Sequence, residues 1–445
     1  MKANSRHSLL IFLFFAAIYL LLQGAKPGYT VDANAVYQLT QSIVDRGEMF
    51  PQVRLKQGVF HALIFIPFYK LGDWLAANHP GSDPDGIRRR ALCWLNGVLA
   101  AMACAALFLL CREMGAGLAA SRNVALAAGL STMILPYSRY EYNKIPAMLL
   151  LTLLLWSICR YRRLGQKKDF LFAGLWAGLL VGFRLEFLLL FPGLIVLGFR
   201  QKKPAVFSDL WPGILMAGGL AALVIGYQWS RWGGVAGYEG GFNPLPFEGL
   251  YGFFFSLGKS LFLYNPILLL LPLVLWGSRG SDWWGPWWLV VGPMLVFYGW
   301  WSNWWGGWAW GPRHLVPLIP LLAAPLALET GSSHGPIRCY AFWFLTMLGI
   351  FIQLLGIAVD FNDGIARLYG QGVTEEMLVY LWPFGGIANH ARIVAQMPVV
   401  LLDFGVLQYF LVYASTRILA AALVGFLLAV LALLKLRVSP EDTPI

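Results

Sequence analysis

The sequence predicts an all-α polytopic membrane protein with about 12 transmembrane helices, in a range of roughly 11 to 13. Hydrophobic residues make up 58% of its 445 residues, whereas charged residues make up only 12%. Its mean hydropathy is +0.64. Apolar runs of about 15 to 25 residues recur along nearly the whole sequence, and a helix of about 20 residues crosses a bilayer. We therefore expect a single transmembrane domain over residues 1–445.

Short clusters of basic residues fix the predicted topology. Because cytoplasmic loops of membrane proteins are rich in Lys and Arg, we place these clusters and both termini in the cytoplasm, which predicts a multi-pass protein of the cytoplasmic (inner) membrane. The same clusters account for the net charge of +11, so no nucleic-acid partner is indicated. The clusters are Lys2 and Arg6; Arg112 and Arg122; Arg160, Arg162, Arg163, Lys167 and Lys168; Arg200, Lys202 and Lys203; Lys435 and Arg437.

The predicted spans leave the polar chemistry on the outer, periplasmic or extracellular face. The first outer loop, residues 24–90, contains an apolar segment, 58–77, whose placement has two alternatives. If it crossed the membrane, the strongly basic RYRRLGQKK cluster would lie outside, so we predict that it lies in the outer interface. The spans are 8–23, 91–111, 123–136, 146–160, 169–184, 186–199, 209–229, 261–277, 284–300, 314–328, 339–357 and 408–434.

The cysteines do not indicate a cofactor or a disulfide framework. All five lie in apolar runs or at the ends of such runs, without metal-ligand spacing. The sequence names no certain cofactor: it leaves a divalent cation open and contains no ligand pattern that calls for one.

The acid Asp32 follows the first apolar helix, in the outer segment TVDANAVYQLTQSIVDRGEMF. Val36, Leu39 and Ile43 follow at helical spacing, so a surface helix is predicted, with Gly47 as its stop. Asp32 therefore has two interpretations. It is an N-cap that accepts backbone N–H bonds, or it is a general base that takes a proton from an attacking hydroxyl, and both roles are compatible.

Four basic residues on the predicted outer side are candidates for binding a phosphate. Lys56 precedes the interfacial segment, and Arg313 opens the tenth predicted span after the run WWSNWWGGWAWGP. Arg139 and Lys259 are reserve candidates. Three of them have a structural alternative: Lys56 binds lipid headgroups, Arg313 anchors its helix at the interface, and Arg139 pairs with Glu141.

Four further residues are candidates for a substrate cavity. Glu141 lies in the outer turn YSRYEYNKIP, and Tyr264 ends an irregular outer loop. Trp308 and His314 belong to the tryptophan-rich segment, where aromatic rings suit the C–H faces of a sugar or an isoprenoid chain. An aromatic belt at the membrane interface would explain many of these tryptophans without a substrate. A further charged segment, 184–186, is either a tight outer turn or part of a site.

Six segments stand in the following order along the chain: VDANAVYQL, PFYKLG, YSRYEYNKIP, FRLEF, GYEGGFNPLPFEGLYGFFFSLGKSLFLYNP and WWGGWAWGPRHLVPLIP. Taken together, these segments resemble the GT-C integral-membrane glycosyltransferases, a superfamily that includes protein O-mannosyltransferases and the aminoarabinose transferases of lipid A. The resemblance implies sugar transfer from a polyprenyl-phosphate-linked donor on the outer membrane face. It also implies that Asp32 is the first-loop acid acting as base, that Lys56 contacts donor phosphate and that Arg313 is the basic residue of the last characteristic loop.

The sequence also departs from the family pattern. Many relatives have a second acid where this chain has Ala33, and a proline pair where it has Gln57 and Gly58. Relatives of this subtype often have Glu-Pro in the turn where residues 143–145 stand, so Glu141 is an uncertain substitute. These differences put metal binding and a second catalytic carboxylate in question.

The expected activity is an inverting hexosyl- or pentosyltransfer to a glycan, glycolipid or protein acceptor. Two rival functions stay open. A transporter or flippase for a lipid-linked sugar would also need an aromatic cavity and cations, although such proteins usually contain internal repeats. A glycan ligase or polymerase would use a diphosphate-linked donor.

Overall fold

A computed structural model of the chain describes residues 2–24, 31–49, 59–78, 83–199, 207–232, 241–277, 284–329, 336–396, 403 and 416–436. These residues are mostly helical, and within them the extended structure is an isolated antiparallel bridge between Phe242 and Trp301. The helices are α1 Lys2–Leu21, α2 Val31–Gln41, α3 Val59–Ala77, α4 Pro84–Glu113, α5 Leu118–Ser131, α6 Ile134–Tyr137, α7 Lys144–Leu164, α8 Lys167–Phe183, α9 Phe191–Phe199, α10 Phe207–Trp232, α11 Phe247–Phe255, α12 Leu261–Tyr264, α13 Leu271–Gly277, α14 Trp284–Trp300, α15 Ile319–Ala323, α16 Leu326–Glu329, α17 Pro336–Ala358, α18 Phe361–Gly370, α19 Glu375–Tyr380, α20 Gly386–Gln396 and α21 Thr416–Lys435.

The structure confirms an all-helical integral membrane protein. Among the described residues, six helices are long and apolar enough to cross a bilayer: α1, α3, α4, α7, α10 and α17. Shorter apolar helical stretches occupy other predicted spans, for example Trp287–Trp300 and Leu423–Lys435. Helix α3 covers the segment with two predicted placements, and its length and composition alone fit a span. Its interfacial placement and the count of about 12 spans therefore stay predictions.

Prolines divide two of the predicted spans into short helical pieces. The span at 261–277 becomes α12, a 3₁₀ turn from Pro266 to Leu270, and α13. The span at 314–328 likewise begins as a 3₁₀ helix, Arg313–Leu318, before α15 and α16. Proline removes a backbone N–H and clashes with the preceding turn, which favours a break in the α-helix at these positions.

The long helix α4 forms the centre of the bundle and packs against α1, α3, α5 and α7. Small residues permit close packing in this region. A Cβ atom on Gly129 of α5 would lie 2.2 Å from the Cζ atom of Phe15 on α1. Tyr19 of α1 donates a hydrogen bond of 2.9 Å to the carbonyl oxygen of Gly129. These contacts hold the C-terminal ends of α1 and α5 together.

The predicted helix after the first span is present as α2, and its position at the membrane surface stays a prediction. It continues as a π-helical turn, Ser42–Arg46, and ends at Gly47, which has a left-handed φ of 69°. Glycine adopts this conformation without the steric cost that a side chain imposes, so it terminates the helix as predicted. Helix α2 packs against α3, and the Tyr37 hydroxyl donates to Asp85 Oδ1 of α4 at 2.9 Å.

Candidate active site

The turn between α6 and α7, residues 138–143, lies at the centre of the candidate site. Asn96 of α4 donates to the carbonyl oxygens of Tyr140 and Tyr142, the latter at 3.0 Å. Gln23, just beyond α1, donates to the carbonyl oxygen of Ser138 at 3.3 Å. These bonds satisfy backbone acceptors in a buried turn, and therefore hold it rigidly against α4.

Glu141 is the buried acid of this turn. Its side chain is 1% exposed, and its Oε1 atom lies 4.0 Å from the Cys93 thiol. Within the described residues, Oε2 accepts no hydrogen bond. Burial raises the pKa of Glu141 to about 8, and the positive charge of Arg89 opposes this rise in part. The carboxyl group is thus neutral across much of the physiological pH range.

Arg89 connects this acid to the helix of the first loop. Its Nη2 atom donates to Asn34 Oδ1 of α2 at 2.6 Å, and its guanidinium carbon lies 3.9 Å from the centroid of the Tyr37 ring. A guanidinium group combines hydrogen bonding with stacking on an aromatic ring, so one side chain holds two residues of α2.

Asp32 is the second residue of α2 and lies within its first turn. A negative charge is favourable there because the backbone N–H groups of a helix start are unpaired. The structure describes the backbone of Asp32 and not its side chain, and Lys56 lies outside the described residues. The start of α3, three residues beyond Lys56, packs against the end of α8: a Cβ atom on Gly182 would lie 2.1 Å from the Phe60 ring.

Three cations converge near His314, and we call Lys144, Arg184 and Arg313 the cation cluster. All three lie close enough to act electrostatically on the buried His314 ring. That ring stacks on Tyr298 with centroids 5.0 Å apart, and lies 4.8 Å from the Trp301 ring. The cations come from the start of α7, the end of α8 and the start of the 3₁₀ helix at residue 313.

Within the described residues, aromatic rings and the Glu186 carboxylate lie beside the cation cluster. The ammonium group of Lys144 lies 5.8 Å from the centroid of Tyr298, and the guanidinium carbon of Arg184 lies 5.9 Å from that of Trp301. Glu186 forms an ion pair with Arg184 and accepts a hydrogen bond of 2.9 Å from the Tyr298 hydroxyl. Arg184 lies between α8 and a 3₁₀ helix, Leu185–Leu190, and this junction contributes charged groups to the cluster, whereas its role in a site stays a prediction.

Arg313 also connects the cation cluster to the buried turn. Its guanidinium carbon lies 5.8 Å from the centroid of Tyr142, next to Glu141. Gly306 has a φ of 81°, and a Cβ atom there would lie 2.6 Å from Arg313 Cγ. The glycine therefore leaves the space through which the Arg313 side chain passes.

Lys259 holds the tryptophan-rich loop that precedes Arg313. Its ammonium group donates to the carbonyl oxygens of Gly307 at 3.1 Å and Ala309 at 2.6 Å. Burial, and secondarily the charge of Arg313, lowers the pKa of Lys259 to about 7. The contacts that the structure gives Lys259 thus organise the loop, and its phosphate contact stays a prediction.

Arg139 has a partner that the sequence did not suggest. Its guanidinium donates to Asp403 Oδ2 at 3.0 Å and also to the carbonyl oxygens of Ile357 and Asp403. The structural alternative, a pair with Glu141, is replaced by this pair with Asp403. Arg139 therefore anchors a distant segment beside the turn, and we omit it from the cation cluster.

The four predicted cavity residues lie in different environments. Tyr264 is buried, donates its hydroxyl to the carbonyl oxygen of Gly258 at 2.9 Å and packs edge-on against Trp310. Trp308 is 40% exposed and stacks on Tyr369 of α18 at 5.2 Å. Glu141 lies in the buried turn, and His314 lies beside the cation cluster. The contacts of Tyr264 are those of a packing residue.

The raised pKa of Glu141 predicts a pH dependence of stability. The pKa of this carboxyl group is about 8 in the folded protein, whereas the ordinary pKa of a glutamic acid, as in the unfolded chain, is 4.5. Between these values the folded state binds more protons, so its stability falls as pH rises, by at most about 1.4 kcal/mol per pH unit. Glu141→Gln removes this loss, and its thermal unfolding midpoint in detergent should rise relative to the parent from pH 5 to 8.

Glu248→Gln is the matched control because Glu248 is an exposed acid that contacts Asn243 and Tyr380. Its midpoint should stay parallel to that of the parent at all pH values. Lys259 and other buried groups also titrate, so the difference between each variant and the parent is the relevant quantity. A constant difference for Glu141→Gln between pH 5 and 8 would show that Glu141 ionises normally.

Sequence comparisons identify no relative, but solved structures match the fold. No protein-family model matches the sequence, and comparison with curated proteins gives no match. ArnT from Cupriavidus metallidurans in the apo state matches with a TM-score of 0.52 and 14% identity, over 86% of this chain and 76% of that one. The same protein bound to undecaprenyl phosphate matches with a TM-score of 0.49 and 14% identity, over 88% of this chain and 77% of that one. The Archaeoglobus fulgidus oligosaccharyltransferase, in complex with Zn and sulfate, matches with a TM-score of 0.42 and 13% identity, over 84% of this chain and 58% of that one.

The match to apo ArnT shows that the chain is a membrane protein with a GT-C-like fold. This confirms the fold that the sequence resemblance implied. Fold alone does not define an activity, which has to be argued from the site. For metals, the described residues contain no group of three or more His, Cys, Asp or Glu side chains placed to hold an ion.

Sequence reasoning missed Arg89, and it did not join Lys144 and Arg184 to Arg313. Arg89 stands in the run Arg88–Arg89–Arg90, just before a predicted span on the outer side. A basic triplet on that side departs from the positive-inside pattern, and this departure was the available signal.

Proposed function

We propose that the protein is a glycosyltransferase that moves a sugar from a polyprenyl-phosphate-linked donor to an acceptor hydroxyl. The acceptor is a glycolipid, a cell-envelope glycan or a protein, and the reaction is an inverting hexosyl- or pentosyltransfer. The observation that carries the proposal is the cation cluster, three positive side chains close to the buried His314 ring, one of them paired with Glu186. Clustered charged groups among the helices of a membrane protein are costly and usually mark a substrate site.

A phosphate ligand explains the composition of the cation cluster. Among the described contacts of the cluster, Glu186 forms an ion pair with Arg184. Phosphate oxygens accept charge-assisted hydrogen bonds from guanidinium and ammonium groups. The aromatic rings of Tyr298 and Trp301 beside these cations suit a sugar or an isoprenoid chain. Lys56, which precedes α3, is proposed as an additional phosphate ligand.

The proposed chemistry is one displacement at the anomeric carbon of the sugar. Asp32 takes the proton of the acceptor hydroxyl, whose oxygen attacks this carbon from the side opposite the phosphate. The bond between the anomeric carbon and the phosphate oxygen breaks, and its electron pair leaves with polyprenyl phosphate. The cation cluster stabilises the charge that develops on this leaving group.

The orientation of α7 supports an outer position for the proposed site. Lys144 begins this helix, whereas Arg162 and Arg163 lie in its last turn. A helix of 21 residues is about 30 Å long, which is the thickness of the hydrocarbon core. With the basic end in the cytoplasm, the cation cluster lies at the outer face. An even number of spans, about 12, would place both termini on the same side of the inner membrane. The basic clusters place that side in the cytoplasm.

An assay with purified protein tests the proposal. In detergent or nanodiscs, the protein should convert a polyprenyl-phosphate-linked sugar and an extract of cell-envelope acceptors to free polyprenyl phosphate and a glycosylated acceptor. Mass spectrometry detects both products. A panel of pentose and hexose donors would identify the sugar class.

The two rival functions give different results in the same assay. A lipid-linked sugar flippase would move the donor across a vesicle membrane without releasing polyprenyl phosphate. A ligase or polymerase would release polyprenyl diphosphate from a diphosphate-linked glycan and leave the monophosphate donor intact. Either result would overturn the proposed function.

A further inference from the structure

The buried arginine Arg89 joins three parts of the chain that are distant in sequence. It lies in the second turn of α4, binds Asn34 and Tyr37 on α2, and acts electrostatically on Glu141 in the turn before α7. Its side chain is buried, with the residue 6% exposed. A buried arginine with such contacts fixes the relative positions of its partners, because moving one partner would leave a charged group without its hydrogen bonds.

We propose that Arg89 is a positioning residue that holds the Asp32-bearing helix α2 against the turn of Glu141. The inference rests on the proposed function and adds a residue to it. Asn34 lies two residues after Asp32, within the same short helix of 11 residues. Because a helix of this length moves as a rigid unit, the hydrogen bond between Arg89 and Asn34 sets the position of the helix start that carries Asp32.

A second contact defines the rotation of α2 about its own axis. Asn34 and Tyr37 are three residues apart, so they lie on one face of the helix. Arg89 donates a hydrogen bond to Asn34 and stacks on the ring of Tyr37. The Tyr37 hydroxyl also donates to Asp85 of α4. Two contacts along one helical face restrict rotation as well as separation. A displacement of about 1 Å at a reacting group can cost about 100-fold in rate.

The test compares turnover and donor affinity in four variants. Arg89→Gln should lower kcat by about 10- to 100-fold and change the donor KM by less than about threefold. Arg89→Lys should recover part of the loss, because a lysine keeps the charge but lacks the planar fork. Asn34→Ala should lose less than Arg89→Gln, and the double variant should be no worse than Arg89→Gln alone.

Arg88→Gln is the matched control. Arg88 is the neighbouring residue on α4, and its ion pairs with Asp73 and Asp85 do not involve α2 directly. Its kcat should stay within about threefold of the parent. An Arg89→Gln variant with unchanged kcat would overturn the proposal. A donor KM raised more than about tenfold, with kcat intact, would also overturn it, since Arg89 would then bind the donor itself.

Hydrogen–deuterium exchange separates failure of this inference from failure of the proposed function. Amide exchange in α2 should be faster in Arg89→Gln than in Arg88→Gln, with exchange in α17 unchanged in both. This readout does not depend on any enzymatic activity. If the protein transfers no sugar, faster exchange in α2 would still establish that Arg89 holds this helix in position. Equal exchange in the two variants would reject the proposal.

Discussion

Asp32→Asn should lower turnover of the polyprenyl-phosphate-linked donor by about 10² to 10⁴-fold, the usual effect of losing a general base. Asparagine has nearly the same shape but cannot accept the proton of the acceptor hydroxyl at neutral pH. The position of Asp32 in the first turn of α2 favours an ionised carboxylate, because helix starts stabilise negative charge. Donor binding should change little, since the base acts on the acceptor. Turnover and donor binding are measured on the same preparation.

Asp45→Asn provides the control for this prediction. Asp45 lies in the π-helical turn that continues α2, and accepts a hydrogen bond of 3.0 Å from Tyr69. The variant therefore removes an acid from the same first loop without removing the proposed base, and should retain most of the activity. If both variants lose activity equally, the first loop as a whole is sensitive. If Asp32→Asn keeps full activity, Asp32 is not the base.

Most helices could be predicted from the sequence, because their signals are local. Apolar runs with interfacial aromatics predict spans, and Gly47 marks the end of α2 through its own backbone preference. The division of 314–328 was not predicted, although Pro317, Pro320 and Pro325 are visible in it. Hydropathy measures burial in lipid and takes no account of backbone hydrogen bonds, so it reads such a stretch as one helix.

The candidate site could be predicted only in part, since its contacts are long-range. Arg139 pairs with Asp403, 264 residues away, whereas the sequence suggested its neighbour Glu141. The cation cluster likewise gathers residues 144, 184 and 313 from three elements. Composition shows that such charges need partners, but tertiary packing decides which partners they find. Individual candidates were therefore easier to identify than their grouping.

Arg313→Gln should lower kcat by about 10² to 10³-fold, the usual cost of losing one fixed group that stabilises developing charge. Arg313 is the member of the cation cluster that also contacts the turn of Glu141, through Tyr142. The bound donor is a phosphodiester with one negative charge, and the departing polyprenyl phosphate gains another. A cation therefore stabilises the transition state more than the bound donor, so kcat should fall more than the donor KM rises.

Two further variants show whether Arg313 acts through its charge on the phosphate. Arg313→Lys should retain more activity than Arg313→Gln, because it keeps a positive charge without the bidentate geometry. Arg392→Gln removes an exposed arginine from α20 that donates to the carbonyl oxygen of Pro383, and should leave kcat unchanged. Asp32→Asn should spare donor affinity, whereas Arg313→Gln should weaken it. If Arg313→Gln lowered the affinity for polyprenyl phosphate no more than Arg392→Gln does, the cation cluster would not be the phosphate site.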